Sequence, residues 1–393
     1  MSRIKILTAM CAILFSTALL AQGTNQTVKI GVIASMSGMY EVGGRQLQNG
    51  INTYLAQNGG KLAGHDVQVI YRDTAGANPE VAKRVAQELI TRDKVDILTG
   101  FDFTPGAMAV APLATQAKIP MVLMNAATSI IPTKSPYIVR TSFTPAQTAY
   151  PLGEWAAKQG IKTVYMVLAD FAPAKEAATW FRKSFERAGG KVNGEVSVPL
   201  TNVDFAPYLQ KVKDEKPDAI FAFFPVGEPV ILFYKSYKER GLAEAGIKLI
   251  SPEGWVDQDV LDASGDAALG AISTGFYTLS HDSQKNKDFR LTYQTVSGGK
   301  LEPNYLAVGA YDGMAVIAAA IKKVGLPADR SQLVEAMKGL TLESPRGPMS
   351  IDPETRDVIN TVYLRKIEKV GGRVTAVEFD KFDAVKDPAK ARP

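Results

Sequence analysis

The chemistry this chain can offer is concentrated in a few polar side chains placed just after apolar runs. Thr104 follows the short run Asp96-Ile97-Leu98-Thr99-Gly100 and the turn Phe101-Asp102-Phe103, directly before Pro105. A threonine before a proline reads as helix N-cap and first helical residue, so a helix is expected to start there with unbonded N–H groups. Thr128 closes Asn125-Ala126-Ala127-Thr128 after a second apolar run, Pro120 to Met124. Either threonine alone is better explained as an ordinary cap. Together they stand at the carboxyl ends of adjacent strands, where open α/β sheets bind ligands and helix N-termini favour anions such as a carboxylate.

Glu253, in Pro252-Glu253-Gly254-Trp255, stands just past a later strand beside a bulky aromatic. It suits an ammonium or hydroxyl group on a ligand, and a solvated turn acid is the equal alternative. Tyr40, in the loop from Ser35 to Gly44, would stand at the mouth of the first strand and either stack on a ligand or cover the loop. Asp170-Phe171 and Phe224-Pro225 occupy matching strand ends in the second half, whose lip is therefore expected to be aromatic and acidic.

Other chemistries lack their signatures. His65 and His281 lie in polar turns with no partner at metal-ligand spacing, so both are expected at the surface, with no metal. The chain has no Walker loop, no Gly-x-Gly-x-x-Gly after a strand and no Gly-x-Ser-x-Gly elbow. Cys11, the one cysteine, lies in the N-terminal apolar run. Binding rather than catalysis is expected, with no cofactor; forty acids leave chance carboxylate pairs open.

Those side chains need a scaffold, and the hydrophobic periodicity supplies one. Arg3 and Lys5 precede an apolar run from Ile6 to Leu20, and Ala21-Gln22-Gly23 follows it. At about 15 residues the run is short of the roughly 20 a membrane span needs, so residues 1–23 read as a cleaved signal peptide and Cys11 leaves with them. The mature chain would be an exported, soluble, disulfide-free protein, stabilised by large cores. Losing Arg3 and Lys5 leaves 43 basic residues against 40 acids, a net charge of +3. So mild an excess, spread along the chain, argues against a nucleic-acid partner.

From Val28 to Ala34 the pattern is strand, then a loop, then a helix over Gln46 to Asn58. Val67 to Asp73 is a strand, and Asn78-Pro79-Glu80 opens a helix. After Ser142 the layout starts again: Thr144-Pro145-Ala146-Gln147 is a capping box, followed by strands at Thr163 to Ala169, Glu195 to Leu200, Ala219 to Phe224 and Lys248 to Ser251 with helices between. Long helices return at Lys287 to Val296 and Leu306 to Val324, then a shorter one from Leu326 to Gly339 with Ser331 as cap. Gly347 to Asp352 reads as turns, and Val358 to Ile367 with Arg373 to Phe379 as a hairpin. Two similar halves of the α/β class imply a cleft between them.

Lys29-Ile30-Gly31-Val32 with Met36-Ser37-Gly38, then Ala126-Ala127-Thr128, Pro252-Glu253-Gly254 and Gly265-Asp266-Ala267-Ala268-Leu269-Gly270, resemble the leucine/isoleucine/valine-binding protein family in order and spacing. These are type I periplasmic solute-binding proteins of ABC transporters for branched-chain amino acids. The resemblance implies two Rossmann-like lobes with parallel sheets, joined by three crossing strands, closing on a small-molecule ligand. The lobes would be residues 24–142 plus 276–349 and residues 143–275 plus 350–393. It further implies a periplasmic protein, expected to be monomeric, that serves ABC permease subunits in the inner membrane.

Carried over by position, Thr104 matches the hydroxyl that binds a ligand carboxylate and Thr128 the one that binds carboxylate and amine, with the Ala126 carbonyl and Ala127 beside it. Glu253 matches the acid that receives an α-ammonium. The chain departs from the family at Gly43, where a tyrosine is frequent and Tyr40 stands three residues earlier, and at Phe171-Ala172-Pro173-Ala174, where Tyr-Gly is usual. With Phe103, Phe171 and Trp255 near the cleft, a larger or flatter ligand competes with an amino acid: an aromatic or keto acid. A ligand-sensing receptor would share the fold.

Overall fold

The computed structural model describes residues 26–200 and 204–391, so the expected leader and Cys11 lie outside the described residues. The first sheet is made of β1 (Val28–Ala34), β2 (Lys61–Leu62), β3 (His65–Asp73), β4 (Ile97–Gly100), β5 (Met121–Leu123) and β6 (Ile138–Arg140), in the order β2-β3-β1-β4-β5-β6. Apart from the β2–β3 hairpin its pairs are parallel. Parallel strands need crossovers, and α1 (Glu41–Gln57), α2 (Pro79–Thr91) and α3 (Thr104–Gln116) provide them. Asn78 caps α2 by accepting from the Val81 N–H at 3.2 Å, as its Asn-Pro-Glu sequence predicts.

α1 starts five residues before the expected Gln46, absorbing Gly43 and Gly44. Two of its glycines are required by close approach. A Cβ on Gly44 would lie 1.9 Å from the Ser35 carbonyl oxygen, and one on Gly50 would lie 2.1 Å from that of Ala307. The Gly43-Gly44 pair that suggests a loop is what lets the helix lie against backbone.

The second half runs α4 (Pro145–Lys158), β7 (Thr163–Ala169), α5 (Ala172–Arg187), β8 (Lys191–Val198), α6 (Ala206–Glu215), β9 (Ala219–Phe223), α7 (Glu228–Glu239), β10 (Lys248–Pro252), α8 (Gln258–Ser264) and β11 (Ile272–Gly275). The capping box of Thr144 and Gln147 is formed. Strand β11 and helix α8 were not expected. The reason for β11 is that it is short and half polar: Ser273 and Thr274 are buried because their side chains and carbonyls bond to Arg365 and Thr148. An apolar run could not reveal a strand whose interior is satisfied by hydrogen bonds.

The chain then returns to the first lobe with α9 (Gln284–Ser297) and α10 (Tyr305–Val324), and continues through α11 (Arg330–Met337). α10 is apolar nearly all round because it is buried among α1, α11 and the first core. Asp329 caps α11 in place of Ser331, whose hydroxyl instead meets Tyr137 at 3.1 Å. The last strands are β12 (Thr341–Ser344), β13 (Gly347–Ile351), β14 (Val358–Val370) and β15 (Arg373–Val385). The nine-stranded second sheet has the order β12-β13-β14-β11-β10-β9-β7-β8, with β15 on β14.

The passage from Gly347 to Asp352 is thus largely strand rather than turns. β12 and β13 hydrogen-bond into the second sheet although Met349 and Ile351 bury in the first core. β14 likewise begins in the first core with Val358 and ends in the second with Ile367. At this crossing Arg346 is buried against Asp312 at 2.8 Å and donates to the carbonyls of Thr141 and Ser142. His281, expected at the surface, is largely buried there, with Nδ1 3.0 Å from a Glu378 carboxylate oxygen.

Candidate functional site

A cavity of about 470 Å³ lies between the carboxyl ends of the two sheets, within the size range of small-molecule sites. Its wall is assembled from the first turns of helices. Residues at the starts of α1, α3 and α10 face those at the starts of α5, α7 and α8. Pro105, Pro173 and Pro229 stand in the first turns of α3, α5 and α7, where the missing proline N–H costs nothing. Among the described lining residues there is no lysine, arginine or histidine. Negative charge on a ligand would be met by backbone N–H groups and helix dipoles.

On the first lobe the two threonines come together: Thr104 Oγ1 and Thr128 Oγ1 are 2.9 Å apart. Only one of them can donate in that bond, so the other hydroxyl keeps a proton for a further acceptor. The N-cap of α3 is Phe103, not Thr104, and no side chain caps this helix. The first N–H to find an intrahelical acceptor is that of Ala107, on the Phe103 carbonyl at 3.2 Å. Thr104 and Ala127 line the cavity, while Thr128 stands just behind and Ala126 is buried, donating its N–H to the Phe101 carbonyl at 2.7 Å. Beneath this loop Arg140, fully buried, donates to the carbonyls of Ala127 at 2.7 Å and Thr128 at 2.6 Å. These bonds hold the Ala127 and Thr128 carbonyls on the Arg140 side of the loop.

On the second lobe Glu253 is buried at the cavity wall with φ +25°, a conformation strained for a non-glycine residue. It accepts from the Phe276 N–H at 2.9 Å and the Gly254 N–H at 3.3 Å, and Arg365 Nη1 lies 3.5 Å from its Oε1. A Cβ on Gly275 would sit 2.3 Å from Glu253 Oε2 and 2.2 Å from Arg365 Nη2, so glycine there makes room for the pair. Burial pushes the Glu253 carboxyl above its ordinary range while Arg365 pulls it back. Asp257 is raised well above that range by burial, then by the charge of Glu253. Burial also pushes Asp102, which accepts from the Ser35 N–H at 2.8 Å, up to about 6.

Aromatic rings make up much of the remaining wall. Tyr40 packs edge-on to Phe103 at 4.7 Å between centroids, Phe171 lies 5.9 Å from Phe223, and Tyr305 meets Phe143 edge-on at 5.9 Å. Trp255 does not line the cavity. It is 1% exposed and packs against Phe224, Phe233 and Tyr234, so it supports the wall from behind. Its two-residue offset from Glu253 places it on the same turn, but the turn aims it into the core.

The family model for periplasmic binding proteins matches residues 27–372. The chain belongs to the periplasmic binding protein family. Leu/Ile/Val-binding protein homolog 6 of Brucella melitensis is 42% identical over 362 residues, covering 92% of this chain and 93% of that protein. Among solved structures, a solute-binding protein of an ABC transporter from Rhodopseudomonas palustris BisB5, in complex with 3,4-dihydroxybenzoic acid, is 49% identical with a TM-score of 0.89, covering 93% of this chain and 99% of that one. One from R. palustris HaA2, in complex with p-hydroxybenzoic acid, is 44% identical, also with a TM-score of 0.89, covering 93% of this chain and 100% of that one. A leucine-binding protein from Thermotoga maritima, 23% identical with a TM-score of 0.80 over 91% of this chain and 99% of that one, shares the fold. The family is one of solute-binding components of transporters, and it places the protein in the periplasm.

In this periplasmic binding protein several groups around the cavity carry no signal that sequence reading could use. Arg140 and Arg365 act on loops that precede them by 12 and 112 residues. Asp257 and Asn304 meet only through the fold, at 2.7 Å. Asn304 alone was within reach, as an asparagine two residues before a helical stripe.

Proposed function

We propose that this protein captures an aromatic carboxylic acid of the benzoate class in the periplasm and hands it to the permease of an ABC uptake system. The observation that carries this reading is that Glu253, the residue placed to receive an α-ammonium, is already satisfied by Arg365 and two backbone N–H groups. An amino acid would have to compete with a buried guanidinium for that carboxylate. A flat ring without an amine fits the wall of Tyr40, Phe103, Phe143, Phe171, Phe224 and Tyr305 instead. Its carboxylate would take the free hydroxyl proton of the Thr104–Thr128 pair and the first-turn N–H groups of α3. The R. palustris relatives, in complex with hydroxylated benzoic acids, support the same class.

Capture works by population shift between open and closed lobes. Contacts between the lobes include two beside the cavity: Ser129 donates its N–H, at 3.1 Å, and its hydroxyl to Glu176, and Asn304 donates to Asp257. A ligand touching both lobes adds to these; moving the equilibrium from 1:99 to 99:1 needs roughly 5.5 kcal/mol of differential binding. Export by the leader at residues 1–23 and action as a monomer belong to this proposal.

Titration calorimetry on the mature protein with benzoate, 4-hydroxybenzoate and leucine tests it. Binding of the aromatic acids at least tenfold tighter than leucine is expected. Leucine binding equally well or better would replace the aromatic reading with the amino-acid one.

A further inference from the structure

One group in the cavity wall is a carboxylate whose own element does not use it. Asp257 is the N-cap residue of α8, with extended backbone at φ −60° and ψ 133°, yet its side chain makes no capping bond. An N-cap aspartate ordinarily accepts from the second or third N–H of its helix, worth about 1 kcal/mol. Here the carboxyl is turned away from the helix and lines the cavity. The side chain is half-buried, and desolvation raises its carboxyl well above the ordinary range.

Its one hydrogen-bond donor is Asn304, whose Nδ2 lies 2.7 Å from Oδ2. The orientation of that amide is fixed, because Asn304 Oδ1 accepts from the Leu306 N–H at 2.9 Å and the Ala307 N–H at 3.4 Å as the cap of α10. The Asn304 N–H is itself held by Gln46 at 3.3 Å. Asn304 therefore occupies Oδ2, and none of the described residues donates to Oδ1. Among the described residues no cation pairs with it: Arg365, bonded to Glu253, lowers its carboxyl through space, while the charges of Glu253 and Asp259 raise it. Tyr305, whose hydroxyl feels both Asp257 and Glu253, closes the same corner.

We infer that Asp257, positioned by Asn304 from the opposite lobe, is a specificity residue that selects ligands carrying a ring hydroxyl, which hydrogen-bonds to its unoccupied carboxyl oxygen. This rests on the aromatic-acid reading above and extends it to hydroxylated benzoates. The chemistry required at this corner is a neutral polar partner: an apolar ring edge would leave a desolvated carboxyl oxygen unpaired, whereas a phenolic hydroxyl satisfies it, donating to the ionised group or accepting from the protonated one that burial favours. The bond would also join ligand, second lobe and, through Asn304, first lobe.

The test is calorimetry with 3- and 4-hydroxybenzoate, each against the fluorobenzoate substituted at the same position, which has nearly the hydroxyl's bulk without its proton. The wild-type protein is expected to prefer the hydroxy acid by about fivefold or more at one ring position, as one buried hydrogen bond implies. In Asp257→Ala that preference collapses towards unity, and in Asp257→Asn it falls several-fold. Unfolded Asp257→Ala would leave Asp257→Asn and the wild-type ligand pairs to decide. Equal wild-type affinities for hydroxy and fluoro acids at both positions, or a preference unchanged in either folded variant, overturns the inference while leaving the aromatic-acid reading standing. Failure of the wild type to bind any of the four acids, with leucine bound instead, overturns both and assigns Asp257 to an ammonium.

Discussion

Replacing Arg365 with methionine tests the electrostatics of the cavity wall. The guanidinium is fully buried and has four partners: the Tyr277 carbonyl at 2.6 Å, Ser273 Oγ at 2.9 Å, the Thr274 carbonyl at 2.8 Å and Glu253 at 3.5 Å. Removing one member of a buried pair costs about 3–5 kcal/mol, because the other charge stays desolvated. That loss has two parts with different pH behaviour. The freed carbonyls are indifferent to pH, whereas Glu253 can escape by taking a proton. Burial already raises its folded pKa, and without Arg365 the main cation lowering it is gone, leaving the field of Arg346, whose guanidinium also feels Glu253. A carboxyl whose folded pKa lies above its unfolded value binds more protons when folded, so stability falls as pH rises from the unfolded value to the folded one, by up to about 1.4 kcal/mol per pH unit. Urea denaturation of the ligand-free protein at pH 5 and pH 8 is expected to show Arg365→Met more destabilised at pH 8. In the double variant with Glu253→Gln most of that extra loss disappears; Asp257, which Arg365 also lowers, carries the rest, and the carbonyl part remains. A destabilisation equal at both pH values, or unaltered by Glu253→Gln, refutes the claim that Arg365 serves to neutralise Glu253.

Three further outcomes follow from the geometry. Thr128→Ala removes one hydroxyl of the pair 2.9 Å from Thr104 and is expected to weaken aromatic-acid binding about tenfold by calorimetry, with little change in melting of the empty protein. Asp102, at about 6 against an ordinary 3.8, binds its proton more tightly when folded, so the stability of Asp102→Asn relative to wild type should rise by about 3 kcal/mol between pH 3.5 and pH 7 in urea titrations. Glu176→Gln weakens the contact with Ser129 across the cleft, so small-angle scattering should report a larger open fraction without ligand, and affinity should drop several-fold.

Much of the fold was legible because its signals are local. The Asn78 cap, the Thr144–Gln147 capping box and the β-branched run of β1 each follow from a few neighbouring residues. What escaped depends on distant partners. β11 hides its strand character because buried Ser273 and Thr274 are satisfied by Arg365 and Thr148, and α1 hides its first turn because Gly44 is needed for contact with Ser35. The site divides in the same way. Thr104, Thr128 and Glu253 could be placed from strand ends, but whether Glu253 is free to bind an amine depends on an arginine 112 residues away. Trp255 illustrates the limit of adjacency: one turn carries both it and Glu253, and the two face opposite ways.

The absence of a cationic side chain from the described lining fixes what sort of ligand the cavity can hold firmly. A carboxylate drawn from water into such a space needs compensation, and a lysine or arginine in the wall would give it at any orientation. Helix first turns give it only along their axes, at the ends where N–H groups are unpaired. Several helix first turns reach the cavity, and on the proposed reading the pair of hydroxyls selects the Thr104–Thr128 corner for the anion, leaving the rest of the molecule among rings whose edges and faces reward a flat apolar body. At the corner of Glu253, Asp257 and Tyr305 the sign is reversed, because Glu253 is covered and Asp257 retains one open oxygen. A molecule anionic at one end and donating at the other matches this polarity in one orientation only. Since the donor end meets an aspartate already tied to Asn304 of the opposite lobe, correct placement and lobe closure depend on the same contact.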